Sequence, residues 1–318
     1  MVADKSLEVG VLVAFIMYIQ RFFDPIRNLT QQYTQLQRSM ASGSRIFDLM
    51  DRDPDMVDSE NAEKMPTLKG EIEFKDVRFS YVEGEEVLKG INLKINPGET
   101  VAIVGPTGAG KTSLVSVLSR FYEVEKDSGS VLVDGVDIRG VKRQSLVSQM
   151  STVLQDPFLF SGTVKENIKY NHTEASEEQM VVASKAVGAH DFILELEDGY
   201  DTFLSERGNN LSLGQRQLLS FARAIVADPK ILILDEATAN IDSHTEILIQ
   251  NALRNLLEDR TALVIAHRLS TIRGADKIVV LQEGQIIEVG KHDELMDKEG
   301  LYNHLYNMNF ATMDAPED

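Results

Sequence analysis

Thr100-Val101-Ala102-Ile103-Val104 followed by Gly105-Pro106-Thr107-Gly108-Ala109-Gly110-Lys111-Thr112 is the stretch that decides the fold. An apolar run of strand type leads into a glycine-rich octet, and a helical pattern with Leu114, Val117, Leu118 and Phe121 follows. The octet matches the phosphate-loop pattern, and strand before, helix after is the context that pattern requires. Gly105, Gly108 and Gly110, with Thr107 and Ala109 between them, let backbone N–H groups turn inward around phosphate oxygens without a Cβ in the way. The helix start adds the positive end of its dipole. Lys111 supplies a point charge for the β- and γ-phosphates, Thr112 a hydroxyl for Mg²⁺, and Ser113 a contact to the α-phosphate.

Downstream, Ile231-Leu232-Ile233-Leu234-Asp235-Glu236 reads as a buried strand ending in two carboxylates. Ligands of open parallel sheets bind at the carboxyl ends of strands. Asp235 is placed to hold Mg²⁺ through its water shell, and Glu236 to polarise an attacking water as general base. Further buried-strand candidates are Met150 to Leu154, Leu263 to Ala266 and Ile278 to Leu281. Helical patterns separate most of them, which predicts an α/β fold with a largely parallel sheet. Ile72, Phe74, Val77 and Phe79 alternate in near period two, and Leu88, Ile91, Leu93 and Ile95 lead to a Pro97-Gly98 turn. These earlier strands predict an antiparallel β subdomain, and the helical character of Val164 to Leu211 predicts a separate helical lobe.

Leu211-Ser212-Leu213-Gly214-Gln215 opens another helix, with Ser212 in a good N-cap position. This segment resembles the signature motif of ABC ATPases, usually Leu-Ser-Gly-Gly-Gln. The resemblance spans Gly70 to Asn309, with phosphate loop, signature and carboxylate strand in order and Asp235 lying 23 residues after Ser212. It implies a P-loop NTPase (RecA-like) core and ATP with Mg²⁺ as ligands. It also implies roles for further residues: Tyr81 as the aromatic that stacks on adenine, and Gln155 as the water and Mg²⁺ ligand that senses the membrane domain. His267 becomes the switch histidine reaching the γ-phosphate, so that Glu236, His267, Lys111 and Gln155 form the catalytic set. Ser212, Gly214 and Gln215 become the nucleotide contacts that one subunit offers its partner. Ala239-Asn240-Ile241-Asp242 is similar to the loop crossing the dimer interface, and Glu206-Arg207-Gly208 to the exporter loop that couples to membrane helices. Leu213 departs from the family pattern by replacing the first signature glycine, which is tolerable where the backbone stays at negative φ. A catalytically inactive module, a non-transport ABC ATPase and a generic P-loop kinase or GTPase compete with this reading. Retained Glu236, Gln155 and His267 argue against the first, the apolar first fifty residues against the second, and the signature against the third.

Those first residues hold the most apolar stretch, Leu7 to Phe23. Val9 to Ile19 is uncharged but shorter than the ~20 residues needed to cross a bilayer. The helical stripe continues past Pro25 through Ile26, Leu29, Tyr33, Leu36 and Met40. One helix from Leu7 to Met50 extends about 60 Å at ~1.5 Å per residue, roughly twice the hydrocarbon thickness. Arg21, Arg27, Arg38 and Arg45 lie towards the far end, as the positive-inside rule expects. An amphipathic helix of a soluble domain is the competing reading of this stretch. Pro25-Ile26-Arg27 and Ala41 to Phe47 resemble the end of the sixth transmembrane helix of type IV, multidrug and lipid-flippase-like exporters. The expected layout is a last transmembrane helix with its cytosolic extension over 1–50, a linker over 51–69, the nucleotide-binding domain over 70–310 and a disordered tail over 311–318. A chain with one such helix reads as a fragment of a half-transporter. The resemblance then implies a plasma-membrane protein, multi-pass in full, with a cytoplasmic ATPase domain. Its partners are its own transmembrane domain and a second nucleotide-binding domain, in a homodimer or in a heterodimer with a related half-transporter.

Composition narrows the classes further. The 318 residues carry 50 acidic against 32 basic side chains, a net charge of −18, which disfavours nucleic acid as the main partner. There is no cysteine, so disulfides and thiolate metal sites are excluded.

Overall fold

The computed structural model of the chain describes residues 8–53, 56–170, 172–235, 243–266 and 269–310. Glu236, His267, the Ala239 to Asp242 loop and the tail at 311–318 lie outside the described residues. The chain divides into two compact units, one through Val57 and one from Asp58 onward.

Among the described residues, the first unit has one helix, α1 (Val9–Met50), of 42 residues with Pro25 inside it and no buried residue. It is long and apolar enough to cross a membrane. Two of its threonines bond its own backbone: the Thr30 hydroxyl donates to the Ile26 carbonyl at 3.0 Å and Thr34 to that of Thr30 at 2.9 Å. Such back-bonding removes the hydroxyls' need for water.

In the second unit the expected alternating strands form an antiparallel sheet. β1 (Ile72–Ser80) pairs with β2 (Glu86–Ile95), and the phosphate-loop strand β3 (Thr100–Val104) and helix α2 (Lys111–Leu118) follow. β4 (Ser130–Val133) and β5 (Val136–Asp137) complete that sheet in the order β2-β1-β4-β5. The β4–β5 hairpin turns through Asp134 and Gly135, both at positive φ as a tight two-residue turn demands. Next come α3 (Arg143–Val147) and β6 (Met150–Val153). The segment read as a separate helical lobe contains α4 (Val164–Ile168), α5 (Glu177–Ala186) and α6 (His190–Glu195), with a small sheet of β7 (Gly162–Thr163) and β8 (Phe203–Leu204), and its apolar side chains Val164, Ile168, Met180 and Ile193 join the core of the central sheet. α7 (Leu213–Val226), β9 (Ile231–Asp235), α8 (Ser243–Leu257), β10 (Thr261–Ile265), α9 (Leu269–Gly274), β11 (Lys277–Gln282), β12 (Gln285–Gly290), α10 (His292–Asp297) and α11 (Leu301–Phe310) finish the chain.

The central sheet has the order β12-β11-β3-β10-β9-β6, and all its pairs are parallel except β11–β12. Its inner strands β3, β9, β10 and β11 are apolar on both faces, and both faces are covered. Alternate residues go to two different cores. Ala102, Val104, Leu232, Leu234 and Val264 pack with Leu218, Phe221 and Ile249 of the helical side. Val101, Ile103, Ile231, Ile233 and Leu263 pack with Phe74, Leu88, Leu114 and Leu118. The antiparallel sheet and α2 therefore share one core with the central sheet, which fixes the phosphate loop between them.

The segment read as a polar linker divides between the two units. From Asp58 it lies along the second unit, with Ala62, Met65 and Leu68 buried. The Met65 amide donates to Ser145 Oγ at 2.8 Å, and the Leu68 amide to Gln149 Oε1 at 2.9 Å. Its end is caught by the Asp134 carboxylate, which accepts the amides of Lys69, Gly70 and Glu71 at 2.6, 3.1 and 2.8 Å, while the Asp134 amide donates to the Glu71 carbonyl. Asp134→Ala removes three charge-assisted acceptor contacts and leaves a left-handed residue without its favoured side chain. The expected loss is about 2–3 kcal/mol, read as a lower urea midpoint at unchanged m-value, with Asp134→Asn intermediate.

Candidate nucleotide site

The loop from Gly105 to Gly110 turns the chain from β3 into α2 between fixed backbones. A Cβ on Gly105 would stand 2.2 Å from the Leu281 carbonyl oxygen in β11. One on Gly110, which caps α2 at φ 102°, would meet Leu88 Cδ2 at 3.0 Å and the Val87 carbonyl at 3.2 Å. Close backbone approach requires glycine at Gly105, and the left-handed conformation favours it at Gly110, where a Cβ would also be tightly seated. The β11–β12 turn braces the loop from outside: the Gly284 amide donates to the Ala109 carbonyl at 3.1 Å, and the Gly284 carbonyl accepts the Lys89 amide at 2.8 Å. Within the loop the Ala109 amide donates to the Pro106 carbonyl at 3.1 Å.

Lys111 arches back over the loop, its Nζ donating to the carbonyls of Gly105 at 2.7 Å and Pro106 at 3.0 Å. Partial burial pulls its pKa below the ordinary lysine value, and the negative charge of Asp235 opposes that. The ammonium is thus held at the loop mouth, within electrostatic reach of a carboxylate on another strand. Asp235 ends β9, opposite Ile265 of β10, which in turn lies opposite Ile103 of β3. Two strand spacings, about 10 Å, therefore separate the Asp235 backbone from the strand that delivers the loop.

Thr112 is exposed on the first turn of α2, and Ser113 beside it is buried. The Ser113 hydroxyl lies 3.0 Å from the Tyr81 hydroxyl. Tyr81 follows β1 and is half-exposed, with edge-on contacts to Phe79 at 4.8 Å and Tyr122 at 5.0 Å between ring centroids. An exposed aromatic face is thereby set against the loop helix. Gln155 is exposed two residues beyond β6, on the strand next to β9. Behind it, Arg223 of α7 pins the following segment, donating to the carbonyls of Phe158 at 2.9 Å and Asn167 at 2.8 Å and lying over the rings of Phe160 and Tyr170. Burial lowers the Arg223 pKa.

The structure thus brings Tyr81, the phosphate loop, Ser113 and Asp235 together and sets Gln155 at the same edge of the sheet. It does not bring Ser212 to them by any hydrogen bond: Ser212 uses its bonds within its own helix. Its hydroxyl accepts the Gln215 amide at 3.2 Å, and Gln215 Oε1 accepts the Ser212 amide at 3.0 Å, a reciprocal cap on α7. Leu213 is the first residue of that helix and is not among the residues at positive φ, while Gly214 behind it is buried. Arg207 is at φ 60° in a short 3₁₀ turn, and Gly208 is packed against Leu159. Sequence reasoning missed Gly284, Tyr122 and Arg223. The Glu283-Gly284 dipeptide was the available sign of the first, and the other two act through distant partners.

Residues 88–239 match the family model described as ABC transporter. Those residues form an ABC transporter family domain. The chain is 48% identical over 301 residues to a fatty acid ABC transporter ATP-binding/permease protein of Mycobacterium tuberculosis (strain CDC 1551 / Oshkosh), covering 95% of this chain and 47% of that one. It is 45% identical over 307 residues to an ATP-dependent lipid A-core flippase of Desulfotalea psychrophila (strain LSv54 / DSM 12343), covering 96% and 53%. The solved structure of a bacterial Atm1-family ABC exporter with ATP bound superposes with a TM-score of 0.78 at 36% identity, covering 98% of this chain and 54% of that one. The chain spans about half the length of these relatives.

Gly105→Ala tests the fit of the ABC phosphate loop. Overpacking against a strand carbonyl costs about 1–3 kcal/mol, so ATP affinity should fall by about tenfold or more, measured by calorimetry, while the circular dichroism spectrum stays native.

Proposed function

We propose that this chain binds ATP with Mg²⁺ and hydrolyses it, as one half of a membrane exporter whose two nucleotide-binding domains close around the nucleotide. The observation that carries the reading is the Lys111 ammonium poised over the glycine loop with Asp235 in electrostatic reach. The Atm1-family structure that superposes on this fold has ATP bound.

In this reading Tyr81 stacks on adenine, Gly105, Thr107, Gly108 and Gly110 present backbone amides to the phosphates, and Ala109 does so by giving up the Pro106 carbonyl. The Lys111 contacts to Gly105 and Pro106 are exchanged for β- and γ-phosphate oxygens, and Ser113 gives up the Tyr81 hydroxyl for the α-phosphate. The donor set of Thr112 hydroxyl, Asp235 carboxylate and Gln155 amide is all oxygen, which suits Mg²⁺. Bound there, Mg²⁺ supplies charge neutralisation to the triphosphate. Glu236 directly follows Asp235 and takes the proton from the attacking water, Gln155 orients that water, and His267 donates to the γ-phosphate. Ser212, Gly214 and Gln215 serve the partner subunit's nucleotide, which explains why Ser212 caps an exposed helix start instead of meeting its own phosphate loop. Hydrolysis weakens the bridge between the two domains, and α1 carries their opening to a translocation path in the plasma membrane, with the ATPase domain in the cytoplasm. The second domain is a copy of this one or that of a related half-transporter.

Two variants test the chemistry. Lys111→Ala should weaken ATP binding by about 10–100-fold, as expected for a lost charge-assisted phosphate contact; unchanged affinity would refute the phosphate-loop assignment. Glu236→Gln should bind ATP and dimerise, with turnover reduced by about 10²–10⁴-fold. Normal turnover in that variant removes Glu236 as the base, and wild-type chain that never splits ATP removes the enzymatic reading in favour of a regulatory module.

A further inference from the structure

Asp58 opens the second unit, and its carboxylate sits between two elements that lead into the nucleotide site. One is the far end of α2. Arg120 lies two residues past that helix, is 2% exposed, and takes a positive φ of 49° that turns the chain sharply. Its Nη1 donates to the Val141 carbonyl at 2.6 Å and lies 3.4 Å from Asp58 Oδ1, and its Nη2 lies 3.5 Å from Glu123 Oε1. Its Nε is buried and has no hydrogen-bond partner. A guanidinium this deep is tolerated only beside compensating carboxylates, and one of the two comes from the chain that arrives from α1. The other element is α3. Both Asp58 oxygens accept the Arg143 amide at its start, at 3.0 and 3.1 Å. α3 runs through Gln149 into β6 and so to Gln155.

Arg120 is nine residues from Lys111 along a continuous helix and its cap, about 13 Å at the helical rise. A short helix of this kind moves as a rod. A displacement at its phosphate end therefore arrives at Arg120, and from there at Asp58. Behind Asp58 the Glu63 backbone is bonded on both sides, its amide to Gly140 and its carbonyl to the Lys142 amide.

We infer that Asp58 and Arg120 are a positioning pair for the ATP reaction, buckling the chain that enters from α1 to the back of the phosphate-loop helix and to the start of the helix ahead of Gln155. Nucleotide at the loop tightens the linker, and by linkage a pull on the linker changes the loop's hold on nucleotide. The inference rests on the ATP reading above.

The test is hydrogen–deuterium exchange on the full chain in detergent, with and without a saturating non-hydrolysable ATP analogue and Mg²⁺, its binding measured in parallel. The readout is the linker peptide holding the amides of Glu63, Met65 and Leu68. In the wild type the analogue should slow its exchange by about fivefold or more, a typical coupling between sites. Asp58→Asn should lose that response while binding the analogue, and Asp58→Glu, which keeps the carboxylate, should restore it; a merely structural anchor would change the basal exchange and leave the response to nucleotide intact. An unresponsive wild-type linker in a chain that binds the analogue overturns this inference alone, as does an Asp58→Asn linker that responds like wild type. A chain that binds no analogue overturns it together with the ATP reading. Should Asp58→Asn not fold, the wild-type response decides.

Discussion

Every group proposed to meet phosphate reaches its place because β3, β10, β9 and β6 run parallel and side by side. Parallel pairing sends all four carboxyl ends to one edge. The glycine loop leaves β3 there, Asp235 ends β9 there, and Gln155 follows β6 there. The pairing itself depends on burial of both sheet faces, and the period-two alternation of Val101 to Val104 and Ile231 to Leu234 divides each strand between two cores. Removing either core would expose one set of these side chains and release the edge that holds the site.

Charge placement follows the same economy. Among the cations that the second unit takes out of full solvation, two stand at opposite ends of α2. Lys111 is held by two loop carbonyls and faced by Asp235. Arg120, far more deeply buried, is held by one carbonyl and two half-exposed carboxylates. The first arrangement suits exchange, because carbonyl contacts at a loop mouth can be replaced by phosphate oxygens at little cost. The second suits permanence, because losing a partner strands a buried charge. A displaceable cation at one end of α2 and an anchored one at the other are what a helix would need to report nucleotide to the chain beside it.

The main strands were legible because long apolar runs with turn residues at their ends have few other uses. Ile231 to Leu234 and Ile278 to Leu281 lie within observed strands, and Leu263 to Ala266 does so except for Ala266, one residue past β10. The alternation of Ile72 to Phe79 gave the antiparallel sheet. β12 escaped because it is an edge strand with no buried residue, so its sequence lacks an apolar run. β5, β7 and β8, at two residues each, are too short for any period to show. Residues 58–69 read as linker because Ala62, Met65 and Leu68 are sparse among polar neighbours, and what fixes them is hydrogen bonding to Ser145, Gln149 and Asp134, all more than sixty positions away.

By itself the sequence determined the chemistry on offer: a glycine loop with its lysine and threonine, a strand ending in aspartate, a serine-capped signature helix, and an apolar helix ahead of them all. Each of these is a local pattern, carried by neighbours a few residues apart. Only the tertiary structure decided that Gly105 must yield to the Leu281 carbonyl, that Gly284 braces Ala109, that Tyr81 reaches Ser113, and that Asp58 answers the charge of Arg120. Those pairings join residues from 32 to 176 positions apart. They exist because two sheets and their helices close over shared cores, and no period along the chain encodes which distant backbone will lie within hydrogen-bonding distance once that burial is complete.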